Sequence, residues 1–261
     1  MRQKEYTGIK IQYASDLHLE FAENTRYLRE NPLAVTGDVL VLAGDIGYLG
    51  DKVSNKHPFW SWAADNYEQV IAIPGNHEFY GGFDIDNVHD GWSYAIRSNV
   101  HYHYNAVISL GDTDLVLTTL WGQIDFLKAV ETMRRVNDFR YIRCEQKTWD
   151  WIRFNEEHFR CFHFLNGCIE RSKAKHIIVV SHHVPAAALM APEFQDSDLN
   201  GAFMVNLADY IKASPIEYWI YGHSHRNICK TVGNTVCVSN QLGYVAGREH
   251  GTFSLSRNIE I

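Results

Sequence analysis

Five short apolar runs set the rhythm of this chain: residues 9–14, 39–43, 70–73, 177–180 and 218–221. Each has the length and composition of a strand. The first three are too apolar and too widely spaced for hairpins, so they predict parallel strands buried on both faces and joined by crossovers. Residues 59–66 predict a crossover helix, with Pro58 just inside its start. Further strands are expected at 114–119, 236–239 and 253–255, and a short helix at 206–213. The longest helical pattern runs from 145 to 171. Trp149, Ile152, Phe159, Phe162 and Ile169 form its apolar face, and Arg153, Glu156, Glu157 and Arg160 its polar one. The aromatics on that face read as core. Residues 184–203 contain Pro185, Pro192, Asn200 and Gly201 and show no period. Loops this long in compact domains are usually functional or mobile. With no repeat, low-complexity tract or linker, residues 1–261 read as a single α/β domain.

A polar cluster follows each of the five runs directly. In order these are Asp16-Leu17-His18, Gly44-Asp45, Gly75-Asn76-His77-Glu78, Ser181-His182-His183 and Gly222-His223-Ser224-His225. A glycine followed by Asp or Asn after a strand is an ordinary turn when it occurs once. Turns do not require histidine to recur, yet six of the 14 histidines lie in these clusters. In open α/β sheets the functional site lies beyond the carboxyl ends of the strands, which is where all five clusters fall. Asp16 and His18 point to one face if the backbone there is extended, and so do His223 and His225. His101-Tyr102-His103 shares the spacing but lacks a strand-end glycine and a carboxylate neighbour. It reads as surface or packing.

Composition narrows the picture only a little. The net charge of -7 gives no general electrostatic reason to bind nucleic acid. It does not exclude it, because bound cations would make the site locally positive. The five cysteines have no Cys-x-x-Cys spacing and read as free thiols in a reducing compartment. The start, Met1 to Tyr6, has no apolar leader region, and no stretch reaches the roughly 18 apolar residues of a membrane span. A cytoplasmic protein with no membrane partner is the expectation.

The candidate ligands are Asp, Asn and His, without Cys. Mixed imidazole and oxygen donors suit Fe, Mn, Zn or Co, whereas an all-oxygen set would favour Mg or Ca. Seven candidates exceed what one ion needs, so two ions sharing a carboxylate explain the number better. Two ions about 3.5–4 Å apart suit in-line displacement at phosphorus.

At this point the sequence resembles the calcineurin-like metallophosphoesterases. The resemblance rests on Ser15-Asp16-Leu17-His18, Gly44-Asp45, Gly75-Asn76-His77-Glu78, Ser181-His182-His183-Val184-Pro185 and Gly222-His223-Ser224-His225. It implies a four-layer α-β-β-α sandwich around a largely parallel or mixed double sheet. It implies that Asp16, His18 and His225 bind a first metal, that Asn76, His182 and His223 bind a second, and that Asp45 bridges both, with Mn, Fe or Zn as the ions. His77 would be a catalytic acid rather than a ligand. Glu78 would orient local backbone or His77, and His183 would pack beside the site. A hydroxide bridging the two ions would attack a small phosphomonoester or phosphodiester, a nucleotide among them. The phosphoprotein phosphatase branch carries an Arg soon after Gly-Asp. Here residues 44–51 contain none, which weighs against a protein phosphatase. Arg226 reads as a solvated loop residue, with a phosphate-facing charge as the alternative. Phe79, Tyr80 and Trp121 read as core or rim packing, with a leaving-group pocket as the alternative. A nuclease is the competing enzyme reading. A ligand-poor scaffold is the non-enzyme one, and the complete ligand set argues against it. Oligomeric state is left open.

Overall fold

The protein is described by a computed structural model covering residues 8–50 and 53–261. The polar start at 1–6 and Asp51 lie outside the described residues. The first half of the chain runs through β1 (Lys10–Ala14), α1 (Ala22–Glu30), β2 (Val39–Leu42), α2 (Pro58–Asn66) and β3 (Gln69–Ala72). It continues through β4 (Trp92–Arg97), β5 (Val100–Tyr104), β6 (Ala106–Leu110) and β7 (Thr113–Leu117). Two short helices follow, α3 (Ala129–Arg135) and α4 (Asp138–Tyr141), then a small hairpin of β8 (Arg143–Cys144) and β9 (Lys147–Thr148). The last part is α5 (Trp151–Arg171), β10 (His176–Val180), α6 (Ala208–Ala213), β11 (Tyr218–Tyr221), β12 (Lys230–Val232), β13 (Thr235–Ser239) and β14 (Asn258–Glu260).

Among the described residues these strands form two six-stranded sheets, ordered β14-β1-β2-β3-β5-β4 and β12-β13-β11-β10-β7-β6. Each has four parallel strands in the middle and an antiparallel strand at each edge. Alternation along the strands explains how two sheets and two helix layers share one molecule. Val39 and Val41 of β2 join Ile178 and Val180 of β10 in a core between the sheets. Their neighbours Leu40 and Leu42 turn the other way, onto Leu28 of α1 and Phe59, Trp60 and Ala63 of α2. Ile177 and Val179 likewise turn onto Leu165 and Ile169 of α5 and Ile211 of α6. Both faces are therefore buried, which is why these strands read as unbroken apolar runs. The result is the expected α/β sandwich with mixed sheets.

Three expectations are corrected. The long helix starts at Trp151 rather than 145, capped by the Asp150 side chain, which accepts from the Arg153 N–H at 2.9 Å. Glu145 and Gln146 instead make the tight turn of the β8–β9 hairpin, with φ of 53° and 62°. Two successive positive φ values are what a two-residue hairpin turn needs. The buried face of α5 is Phe154, His158, Cys161, Leu165 and Ile169, whereas Ile152 and Phe159 are exposed. Steps of four, three, four and four residues follow the 3.6-residue period more closely than the predicted stripe. Residues 253–255 are not a strand: the Leu255 carbonyl accepts from Ala34 N–H and the Gln12 side chain, and the edge strand is β14. Strands β4, β5 and β6 and helix α1 go unpredicted, because half-exposed strands and a helix burying only Asn24 and Leu28 carry weak patterns. All five cysteines are free thiols. Among the described residues, no helix is long and apolar enough to cross a membrane.

Candidate metal centre

The five clusters meet at one edge, where the loops after β1, β2 and β3 of one sheet face those after β10 and β11 of the other. Backbone bonds fasten them: Asp16 N–H to Gly44 C=O at 2.9 Å, and Gly222 N–H to His182 C=O at 2.9 Å. Glycine is needed where loops pass closest. Gly44 has φ of +87° and lies against the His182 ring. At Gly75 the reason is space: a Cβ there would stand 2.6 Å from His182 Nε2.

Seven side chains gather into two groups that share Asp45. In one group His18 Nε2 and His225 Nε2 face each other at 3.0 Å, Asp16 Oδ1 lies 3.4 Å from His225 Nε2, and Asp45 Oδ2 lies 3.9 Å from His18 Nε2. In the other, His182 Nε2 lies 3.1 Å from Asn76 Oδ1, 3.1 Å from His223 Nδ1 and 3.3 Å from Asp45 Oδ1. Asp16 and His18 do not reach the site from an extended backbone, as the two-residue spacing suggested. Their φ values are 55° and 48°, and Asp45, His223 and His225 are also left-handed, at 56°, 74° and 52°. Each such conformation costs on the order of 1–2 kcal/mol in a residue with a Cβ. Among the described residues, half of the ten non-glycine residues with positive φ thus lie in this one site.

The far side of three of the four imidazoles is also engaged. His18 Nδ1 meets Glu20 Oε1 at 3.1 Å, His225 Nδ1 meets Glu249 Oε2 at 2.6 Å, and His182 Nδ1 meets the Ala43 carbonyl at 2.9 Å. Those acceptors hold a proton on Nδ1 and leave the Nε2 lone pairs aimed at the cluster, the arrangement that metal-binding histidines adopt. His223 Nε2 is buried without a partner. Burial opposes ionisation of Asp16 and Asp45, yet the surrounding imidazoles outweigh it and lower both carboxyls. In return, and against their own burial, His182 is pulled up to about 9 beside Asp45, and His225 to about 10 between Asp16 and Glu249. The buried carboxylates call for positive charge beside them. Opposed lone pairs, engaged far nitrogens and buried carboxylates fit a cation in each group.

His77 stands beside the groups. Its ring stacks on Tyr80 at 4.3 Å, Nδ1 meets Glu20 Oε1 at 2.9 Å, and Nε2 meets Tyr244 Oη at 3.2 Å. Glu20 therefore touches both His18 and His77. Burial works against the charged ring, but Asp45 and Glu20 outweigh it and raise the pKa. Glu78 does not touch the His77 side chain. Its carboxylate accepts from the N–H groups of Asp45 at 2.9 Å, Ile46 at 2.8 Å and Gly75 at 2.7 Å, and from Tyr102 Oη at 3.0 Å. Burial first and Asp45 second push it up to about 7, while the donated N–H bonds hold it back. Glu78→Ala strands three buried N–H groups at about 1–3 kcal/mol each, so unfolding in urea is expected to show a loss of about 3 kcal/mol or more. A change within about 0.5 kcal/mol, on the order of an ordinary surface substitution, would contradict this role.

Asp138 of α4 also belongs here. It accepts from Asn76 Nδ2 at 2.9 Å and from Tyr80 Oη, which leaves Asn76 Oδ1 turned toward His182. Glu20, Asp138, Tyr244 and Glu249 carried no assignment in the sequence. Only Glu20 had a usable signal, because it extends the 16, 18 series by one step. His183 is buried against His223 and Trp121, at ring distances of 4.2 and 5.0 Å. His101 and His103 lie on β5, apart from the clusters. Phe79 and Trp121 are core residues, whereas Tyr80 lines a cavity of about 400 Å3 that opens from the centre.

A model of the calcineurin-like phosphoesterases matches residues 9–227. Uncharacterized protein L509 of Acanthamoeba polyphaga mimivirus is 25% identical over 280 residues, covering 96% of each chain. Among solved structures, the phosphopantetheinyl hydrolase PptH of Mycobacterium tuberculosis superposes with a TM-score of 0.65 at 17% identity, over 96% of this chain and 95% of that one. TT1561 of Thermus thermophilus superposes with a TM-score of 0.51 at 10% identity, over 98% and 99%.

Proposed function

The chain belongs to the calcineurin-like phosphoesterase family and is on that ground a metal-binding phosphoric ester hydrolase; from this premise we propose that it uses two cations to cleave a small phosphomonoester or phosphodiester. Asp16, His18 and His225 would hold one cation and Asn76, His182 and His223 the other, with Asp45 between them. One observation carries this reading: the two oxygens of Asp45 face different donor groups, Oδ1 toward His182 at 3.3 Å and Oδ2 toward His18 at 3.9 Å. The shared core between the sheets supports reading residues 1–261 as one domain.

Bound there, the cations supply Lewis-acid activation of water and neutralise charge on the phosphoryl oxygens. The remaining work falls to the chain. Glu20 accepts from His77 Nδ1, which fixes the ring and favours its charged form, so that Nε2 can carry a proton to a departing alkoxide. Asp138 keeps the Asn76 amide turned so that Oδ1, not the NH2 group, would be offered to the second cation. Asp138→Ala leaves that amide only Tyr80 Oη, at 3.1 Å, as a partner, and outer partners of metal ligands are worth about 10–100-fold in affinity. Calorimetric titration with Mn2+ is expected to show one weakened site and one unaltered one; two unaltered sites would remove the role.

The absence of Arg in residues 44–51 and the limited cavity favour a small organic ester over a phosphoprotein. The deciding experiment is a panel of mono- and diesters assayed with Mn, Fe, Zn, Co and Mg, with metal content measured in parallel. A phosphopantetheinyl ester belongs in the panel because the mycobacterial protein of this fold is a phosphopantetheinyl hydrolase. Turnover that needs added metal, at two ions per chain, is the expected outcome. Metal-independent turnover, or one ion per chain at full activity, would end the two-cation reading.

A further inference from the structure

The part of the same cavity not walled by the metal-centre residues, a slot, is lined by Val136, Met190, Phe194, Leu199 and Phe203, with the polar Arg135, Asn137, Ser197 and Asn200 among them. We infer that this slot holds the organic group of the substrate, making the protein selective for phosphoesters that carry a sizeable, largely apolar group. The inference rests on the phosphoesterase reading above and names its substrate class.

A cavity of about 400 Å3 lies in the range, roughly 300–1,000 Å3, that encloses a whole organic ligand. A phosphoryl group needs only the metal-centre end. The slot is attached to that end. Phe203 stacks on His223 with ring centroids 5.0 Å apart and planes at 28°. Arg226, directly after His225, donates to the His225 carbonyl at 3.0 Å and to Glu193 Oε1 at 2.9 Å, and its guanidinium lies 5.3 Å over the Phe194 ring. The loop that carries the apolar wall is therefore fastened to the loop that carries two of the imidazoles. Arg226, expected as a solvated residue, is the fastening. Phe194, Leu199 and Phe203 are only half-buried. Apolar side chains left facing a cavity with a polar floor mark a place for an apolar ligand group.

The test uses the full chain loaded with Mn2+, titrated calorimetrically with methyl-, butyl- and phenylphosphonate. Phosphonates are not hydrolysed, so the readout does not depend on turnover. Each fully buried methylene is worth about fourfold in affinity, and affinity is expected to climb along the series at about two- to fourfold per methylene. Leu199→Ser and Phe194→Ser, each checked for unaltered metal content, are expected to flatten that climb. A flat series in the wild type, or an equal climb in both variants, would overturn the slot. Hydrolysis of butyl and phenyl phosphoesters is followed alongside. If no ester turns over with any cation, the phosphoesterase reading falls, and the affinity series still judges the slot by itself.

Discussion

Asp45→Asn is expected to lower turnover by more than about a thousandfold and to leave the purified protein short of two cations. Charge stabilisation by a metal centre is worth several kcal/mol, and every ~1.36 kcal/mol is tenfold in rate. Asp45 is the one side chain that faces both donor groups, so its loss weakens both sites at once. Asparagine is the right replacement because it has the same shape and tolerates the left-handed backbone that Asp45 adopts at φ 56°. The His77 N–H that bonds to Asp45 Oδ1 at 2.9 Å can still find the amide oxygen. The variant should therefore fold, and the loss should be read as lost metal. Metal analysis with steady-state kinetics checks it. Two cations per chain at unchanged turnover would remove Asp45 from the bridging position.

The second large effect is expected at His77. His77→Gln should cut turnover by about a hundred- to ten-thousandfold on an alkyl ester, the range for loss of a general acid. Metal content should stay at the wild-type level, because the only bond from His77 to the seven gathered side chains is its backbone N–H. The leaving group supplies the sharper readout. An alkoxide needs a proton as it departs, whereas p-nitrophenolate does not, so the loss should shrink strongly on a p-nitrophenyl ester. An equal loss on both esters would mean that His77 holds the phosphoryl group rather than protonating the leaving oxygen. Glu20, joined to His77 Nδ1 at 2.9 Å, accounts for the orientation of the ring.

These two variants also separate what is legible along the chain from what is not. Asp45 and His77 stand in short motifs after apolar runs, and both stand out in the sequence alone. The buried strands are equally plain, because Val39 to Leu42 and Ile177 to Val180 bury both faces and leave unbroken apolar runs. The start of α5 is misplaced by sequence reading because a turn at Glu145 and Gln146 reads locally like helix. Its capping residue, Asp150, becomes evident only from the bond to Arg153.

The sequence by itself determined the parallel strands buried on both faces and the presence of Asp16, His18, Asp45, Asn76, His77, His182, His223 and His225 directly after them. Those are local properties: a run of apolar residues and the loop directly after it. Tertiary structure alone decided which carboxylates stand behind the gathered side chains. Glu249 lies 24 positions from His225, and Asp138 lies 62 from Asn76. No periodicity links residues that far apart. Their contacts exist because two sheets pack on one shared core and bring five loops to a single edge. The left-handed backbone at Asp16 and His18 has the same origin: packing holds a conformation that the local sequence alone would not select.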